Sequence, residues 1–126
     1  MVTDIIADTL TRIKNSSERN HETVDLLTSK MVLAVLEILK QEGFIKEFSI
    51  EDGKAVAELA YDDKNPVIHK VEKVSTPGQR VYVSTKEILP VLNGRGISII
   101  STSQGLMTGA MAKSKRLGGE YICNIW

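Results

Sequence analysis

Asp62-Asp63-Lys64-Asn65-Pro66 divides this chain into two halves of different character. The run is polar, closes on proline and reads as a break between packed segments. Upstream of it, apolar residues recur at helix and strand spacing. Downstream, seven of the nine glycines (78, 94, 96, 105, 109, 118 and 119) punctuate short segments. At 126 residues the chain is one α+β domain by size, or two very small ones packed together, and this break is the best boundary between them.

Working outward toward the amino terminus, Tyr61 ends a strand that runs back through Leu59 and Val56. Asp52-Gly53 turns that strand into a partner holding Ile50 and Phe48, a strong hairpin signal. Gly43 supplies the left-handed stop of a helix over 30–42, whose core stripe is Val32, Val35, Leu36 and Leu39. Thr28 or Ser29 caps its start. Thr23-Val24-Asp25-Leu26-Leu27 alternates as a short strand. Ile6, Leu10 and Ile13 predict a first helix, capped by Thr3 or Asp4. Its other face carries Asp4, Asp8, Thr11 and Asn15, flanked by Arg12 and Arg19, and pattern alone reads that face as solvated. The half is helix–strand–helix–hairpin, with two helices over one face of a three-stranded sheet.

Toward the carboxyl terminus the expected elements are mostly short antiparallel strands with one or two short helices. A strand over 67–75 turns at Pro77-Gly78 into a second over 80–83. Ser84 and Glu87 form a capping box for a brief helix that Pro90 stops. Asn93-Gly94 turns into the apolar strand Ile97-Ser98-Ile99-Ile100. Thr108 caps a helix that ends at Gly118. A closing strand over 120–126 sets Tyr121, Cys123 and Ile125 on one face and Ile122 and Trp126 on the other.

The chain is neutral overall, but its charge is segregated. Residues 1–66 carry eight Lys/Arg against thirteen Asp/Glu, a net of −5; residues 67–126 carry eight against three, a net of +5. A positive half of this kind suits a polyanion. The same half holds Ser101-Thr102-Ser103-Gln104-Gly105, where hydroxyls and an amide cluster at a strand end. Such groups both donate and accept, as base edges and the 2′-OH of RNA do. Gly105 permits close backbone approach. Lys113, Lys115 and Arg116 follow, suited to phosphates. Residues 101–120 therefore read as an apparatus for gripping RNA.

Other chemistry is not proposed by these residues. His21 and His69 lack partners at ligand spacing, so no metal is expected. Gly94-Arg95-Gly96 lacks the third glycine of a dinucleotide fingerprint, and 105–114 lacks the Gly-Lys-Ser/Thr ending of a phosphate loop. Cys123 sits in an alternating strand and reads as a core residue. No nucleophile, base and oxyanion donor stand together, so the chain reads as non-enzymatic, without cofactors. No apolar run is long enough to span a bilayer and Met1-Val2-Thr3-Asp4 opens no signal peptide; with a lone cysteine, an intracellular, cytoplasmic setting is expected.

These residues resemble the family of bacterial small-subunit ribosomal protein number eight, over essentially the whole chain. The resemblance rests on Thr3-Asp4, Ile6-Ala7-Asp8 and Leu10-Thr11-Arg12-Ile13, on Glu37-Ile38-Leu39-Lys40 with Glu42-Gly43-Phe44-Ile45, and on 75–82. Its most specific parts are Val91-Leu92-Asn93-Gly94 with Gly96-Ile97, the 101–105 run, and Gly118-Gly119-Glu120 with Trp126. It implies an α+β architecture of two small packed α/β domains, 1–64 and 65–126, and a primary binder of the central domain of small-subunit ribosomal RNA, needed for assembly and placed beside other small-subunit proteins. It also implies repression of its own operon through a similar messenger RNA site. By the resemblance, Ser101, Thr102, Ser103, Gln104 and Gly105 meet unpaired bases, with Tyr82 and Glu120 beside them and Gly118 and Gly119 in the same surface. Thr3, Asp4, Asp8, Arg12 and Asn15 match a second, weaker RNA-facing helix, to which Lys14 is added as a secondary RNA-binding residue, and this replaces the solvated reading of that face. Ile5, Lys14 and Ser16 depart from the family's usual proline, arginine and alanine, and a neutral chain is low in charge for a ribosomal protein. The alternative from another class is a small protein-interaction module whose acidic first half binds a basic partner.

Overall fold

A computed structural model of the chain describes residues 2–126, with side chains described from Ile5 onward. The chain forms two compact units, Met1–His69 and Lys70–Trp126.

In the first unit, helix α1 (Val2–Glu18) buries Ile6, Leu10 and Ile13. It begins at Val2, so the expected caps Thr3 and Asp4 fall inside its first turn, and their side chains lie outside the described residues. Strand β1 (Thr23–Leu27) leads to helix α2 (Lys30–Gln41), whose start is capped by Ser29, the Oγ accepting from Val32 N at 3.2 Å. Thr28 instead donates its hydroxyl to Gly53 O at 2.8 Å, tying the helix start to the hairpin turn. At the other end, Phe44 N reaches Leu39 O and Gly43 N reaches Lys40 O, with Gly43 at φ +81. This is the left-handed stop that the glycine predicts.

Strands β2 (Ile45–Glu51) and β3 (Lys54–Leu59) pair across Asp52-Gly53, and the antiparallel sheet runs β1-β3-β2. Alternate residues of β3 (Ala55, Ala57 and Leu59) are buried. Two of the three are alanines, which lets the helices approach the central strand closely. Val35, Leu36 and Leu39 of α2 are fully buried, and each contributes about 1.5–3 kcal/mol by leaving water.

The first unit extends past the expected boundary at residue 64 to His69. The polar run does not lead away from this half but folds back on it. Strands β4 (Tyr61–Asp62) and β5 (Asn65–Pro66) pair across Asp63 and Lys64, both at positive φ, as a two-residue hairpin requires.

In the second unit, strands β6 (Val71–Lys73), β7 (Tyr82–Val83), β8 (Ile97–Thr102), β9 (Gly105–Thr108) and β10 (Gly119–Ile125) form one antiparallel sheet. β10 is its centre. β8 lies on one edge of β10, with β9 beyond it, and β6 and β7 share the other edge. The expected strands over 67–75 and 80–83 are thus shorter, and they do not pair with each other. They are two parts of one edge strand, interrupted by an excursion over 74–81. The predicted turn is present inside it, where Thr76 and Gln79 exchange backbone hydrogen bonds of 3.0 and 3.1 Å.

The physical reason is a bulge at Ile122. Tyr121 opposes Ile100 and Cys123 opposes Ile99, leaving Ile122 as an extra residue whose carbonyl accepts from both Val74 N and Ser75 N. The bulge also explains why Ile122 and Cys123 are both buried where simple alternation predicts opposite faces. Burial pushes the Cys123 thiol up to about 12, so it stays protonated as a core residue.

The Ser84–Glu87 capping box closes a 3₁₀ turn over Thr85–Glu87; the Ser84 N–H and hydroxyl hold the Glu87 carboxyl below its usual range. Helix α3 (Gly109–Ser114) starts at Thr108, whose Oγ1 accepts from Met111 N at 3.2 Å. It ends at Ser114, not Gly118, because Arg116 (φ +58) takes the left-handed position while Leu117 N returns to Ala112 O at 2.8 Å. Ile88, Ile100, Met107 and Ala112 form the core under α3, with Val83, Leu117 and Tyr121 packed on it. Trp126 continues the pairing past β10, exchanging two backbone hydrogen bonds with Lys70, whose Nζ lies 5.7 Å from the ring centroid.

The tightest crossing is at Gly119, where an added Cβ would lie 2.1 Å from the Ser101 carbonyl oxygen. Backbone cannot yield as a side-chain tip can. Gly119→Ala is expected to cost about 3 kcal/mol or more. Thermal unfolding of the free protein checks it, with a drop in Tm on the order of 10 °C expected.

Candidate nucleic-acid interface

The register of the second sheet lines up residues far apart in sequence. Tyr82 of β7 opposes Glu120 of β10, Glu120 opposes Ser101 of β8, and Ser101 opposes Leu106 of β9. Directly opposed residues share a face and successive residues alternate, so this row stands on the face away from Ile100, Met107 and Tyr121. Tyr82 is 69% exposed. A strand-borne tyrosine with its ring in solvent is available for stacking on a base.

The 101–105 run is a hairpin rather than a strand-to-helix loop. Ser101 and Thr102 end β8, Ser103 and Gln104 make the tip, and Gly105 (φ +106) opens β9. Its polar groups do not have one role. Thr102 Oγ1 donates to Gly105 O at 2.8 Å and accepts from Gln104 N at 3.1 Å, so that hydroxyl builds the turn. Among the described residues, none hydrogen-bonds to the side chains of Ser101, Ser103 or Gln104, which leaves their donors and acceptors to a ligand. Gly118 and Gly119 have a structural reason: added Cβ atoms would lie 2.6 Å from Val83 O and 2.1 Å from Ser101 O.

The basic residues lie elsewhere. α3 packs through Ala112 on the Ile100 face, opposite the Tyr82–Glu120–Ser101 row. Lys113 is anchored there, its Nζ donating to Ile88 O at 3.2 Å. Lys115 and Arg116 follow the helix as exposed residues just before β10. The expected single apparatus is therefore a hydroxyl-bearing face and tip, with a basic turn at the end of the same sheet.

Electrostatics favours an anion across this unit. Its three acids are all engaged internally: Glu72 accepts from Asn124 Nδ2, Glu87 closes the capping box, and Glu120 accepts from Ser75 and Arg80. Among the described residues, no ion pair engages Lys73, Lys86, Arg95, Lys115 or Arg116.

On α1, Asp8, Arg12 and Asn15 are exposed and Lys14 half-buried. Arg12 Nε sits 3.1 Å from Asp8 and Lys14 Nζ 3.2 Å from Glu18, so both cations are partly neutralised in place. Sequence reasoning missed Ser75 and Arg80, which meet on Glu120 across a long sequence separation. One signal pointed to them. A carboxylate within a strand of a half that holds only three acids needs a partner.

The family model described as Ribosomal protein S8 matches residues 4–126. Small ribosomal subunit protein uS8 of Borrelia turicatae is 46% identical over 130 residues, covering 99% of this chain and 98% of its own. The uS8 proteins of Mesoplasma florum and Mycoplasma capricolum are 49% and 50% identical over 129 residues, covering 100% of both chains in each case.

Arg116 offers a test of what the basic turn costs the fold. A left-handed non-glycine residue is strained by about 1–2 kcal/mol, and glycine's extra chain entropy returns about 0.5–1 of that. Arg116→Gly is therefore expected to stabilise the free protein by about 0.5–1 kcal/mol, read as a higher urea midpoint at unchanged m.

Proposed function

Because the chain belongs to the ribosomal protein S8 family, we propose that it binds the central domain of small-subunit ribosomal RNA, mainly through its second unit. As a member of that family it is a non-catalytic structural constituent of the small ribosomal subunit, at work on cytoplasmic ribosomes. The RNA reading rests on one observation above the rest: the exposed Tyr82 ring and the uncommitted Ser101, Ser103 and Gln104 groups share one end of a sheet whose acids are all internally engaged.

In this reading Ser101, Ser103 and Gln104 hydrogen-bond to unpaired bases and Tyr82 stacks. Thr102 and Gly105 hold the hairpin that presents them. Gly118 and Gly119 let the strands close beneath, and Glu120 occupies the centre of the row. Lys115 and Arg116, with Lys113 behind them, take phosphates. Thr3, Asp4, Asp8, Arg12, Lys14 and Asn15 of α1 make a second, weaker contact, as ion pairing within the helix implies. Bound early, the protein orders this RNA for neighbouring small-subunit proteins. A messenger RNA site of the same shape, in its own operon, is bound by the same surface and repressed.

Reading and gripping separate experimentally. Ser103→Ala removes a neutral group and no charge, so it is expected to weaken binding to an irregular central-domain hairpin by about 1–3 kcal/mol. Its affinity for a plain duplex and its salt slope stay as in the wild type. Lys115→Ala and Arg116→Gly are expected to weaken both RNAs alike, each flattening log K against log salt by about 0.7–0.9. Arg116→Gly does so while making the fold more stable, so lost binding cannot be lost folding. Filter-binding titrations at several salt concentrations measure all of this. Serine variants that lose both RNAs equally, or basic variants that lose only the hairpin, contradict the assignment.

A further inference from the structure

We propose that Ser75 and Arg80 are positioning residues for RNA recognition, acting through the Glu120 carboxylate on the Tyr82–Glu120–Ser101 row. The inference rests on the RNA-binding reading and adds two residues that the site itself does not contain.

The excursion over 74–81 separates β6 from β7. Regular pairing with β10 stops at Val71 to Lys73 and resumes at Tyr82, where β7 pairs with just Gly119 and Glu120; between them Val74 N and Ser75 N share the Ile122 carbonyl. A ladder of two residues does not hold its own register. What holds it lies inside the excursion. Glu120 Oε2 accepts from Ser75 Oγ at 2.6 Å and from Arg80 Nη1 at 3.2 Å. The same Ser75 Oγ accepts from Val81 N at 3.0 Å, and Val81 O accepts from Tyr121 N at 2.8 Å. Val81 is thereby clamped on both its backbone groups, one residue before Tyr82. Displacing the carboxylate displaces the serine, the serine moves Val81, and Tyr82 leaves its place beside Ser101.

Burial makes the clamp stiff. Ser75 is 2% exposed, and the side chains of Glu120 and Arg80 are 13% and 23% exposed. Hydrogen bonds to an ionised group in such a setting are stronger than those in water. The Arg80 guanidinium has a second consequence. A bare carboxylate in the middle of an RNA-facing row repels phosphate, and a guanidinium on the same oxygen cancels that repulsion locally. Ser75 and Arg80 thus set both the geometry and the local charge of the row without touching RNA.

The test uses the full chain with two probes: a central-domain hairpin with unpaired bases and a plain RNA duplex of equal length. Ser75→Ala removes the clamp's hydroxyl. Arg80→Lys keeps the charge and loses the planar donor, so counterion release is unchanged. Each is expected to lower the hairpin-to-duplex affinity ratio by about threefold or more. Duplex affinity and salt slope are expected to stay within about twofold of the wild type. A folded variant whose ratio falls by less than this overturns the proposal. So does an equal loss on both RNAs, which is what a merely structural role predicts. Should Ser75→Ala fail to fold, Arg80→Lys on the more exposed side decides alone. A wild-type protein that does not distinguish the two RNAs would instead sink the RNA-binding reading, a separate result.

Discussion

The second unit depends on how closely β10 crosses β8 at Gly119. With a Cβ position only 2.1 Å from the Ser101 carbonyl, no residue but glycine lets the two backbones meet there. Gly118 repeats the constraint on the other side, 2.6 Å from Val83 O. Together the pair allows β7 and β8 to converge on the first residues of β10. That convergence makes Glu120 the neighbour of both Tyr82 and Ser101. A wider crossing would leave the row's members on the same sheet but out of one another's reach.

Charge follows a similar logic of local arrangement. The chain is neutral, yet an RNA phosphate responds to charges within about a Debye length, roughly 8–10 Å. Within the second unit the sum is positive, and the three acids are each tied to an internal donor. Glu72 and Glu87 are held by neutral donors, and only Glu120 is in an ion pair, with Arg80 at a largely buried site. The effect of these contacts is on the field: each carboxylate is held by a donor of the protein, while Lys73, Lys86, Arg95, Lys115 and Arg116 have no ion-pair partner among the described residues.

Elements with local chemistry were legible in the sequence: Thr28 or Ser29, and Thr108, as helix caps, Gly43 as a helix stop, Asp52-Gly53 as a hairpin turn, and Ser84 with Glu87 as a capping box. Each acts through backbone groups a few residues away. What was not legible depends on distant partners. Nothing near Ile122 announces a bulge, because the bulge exists only against β6 and β8. The true stop of α3 was hidden because Arg116 occupies a position where glycine is expected, and Gly118 drew the reading past it. Ser101, Tyr82 and Glu120 were associated through a family resemblance, not a pattern, since only the sheet register makes them neighbours. Ser75 and Arg80 went unread for the same reason: a carboxylate within a strand signals that a partner is needed, but only the fold says which.

The separation of the hydroxyl face from the basic turn constrains the ligand. Ser101 and Ile100 are successive residues and point to opposite faces, and α3 covers the face of Ile100. A ligand that meets Tyr82, Ser101 and the Ser103-Gln104 tip reaches Lys115 and Arg116 only by passing around the end of the sheet. A plain A-form duplex is stiff and keeps its base edges in a deep major groove or a shallow minor one. It can satisfy the basic turn but has nothing to offer the hydroxyls on the other face. An irregular helix differs because unpaired bases swing out toward one face while the phosphates continue past the turn. On the proposed RNA-binding reading, a demand for irregular RNA follows from placing hydrogen-bonding groups and cations on different sides of one strand end. Positive charge alone would have been content with any duplex.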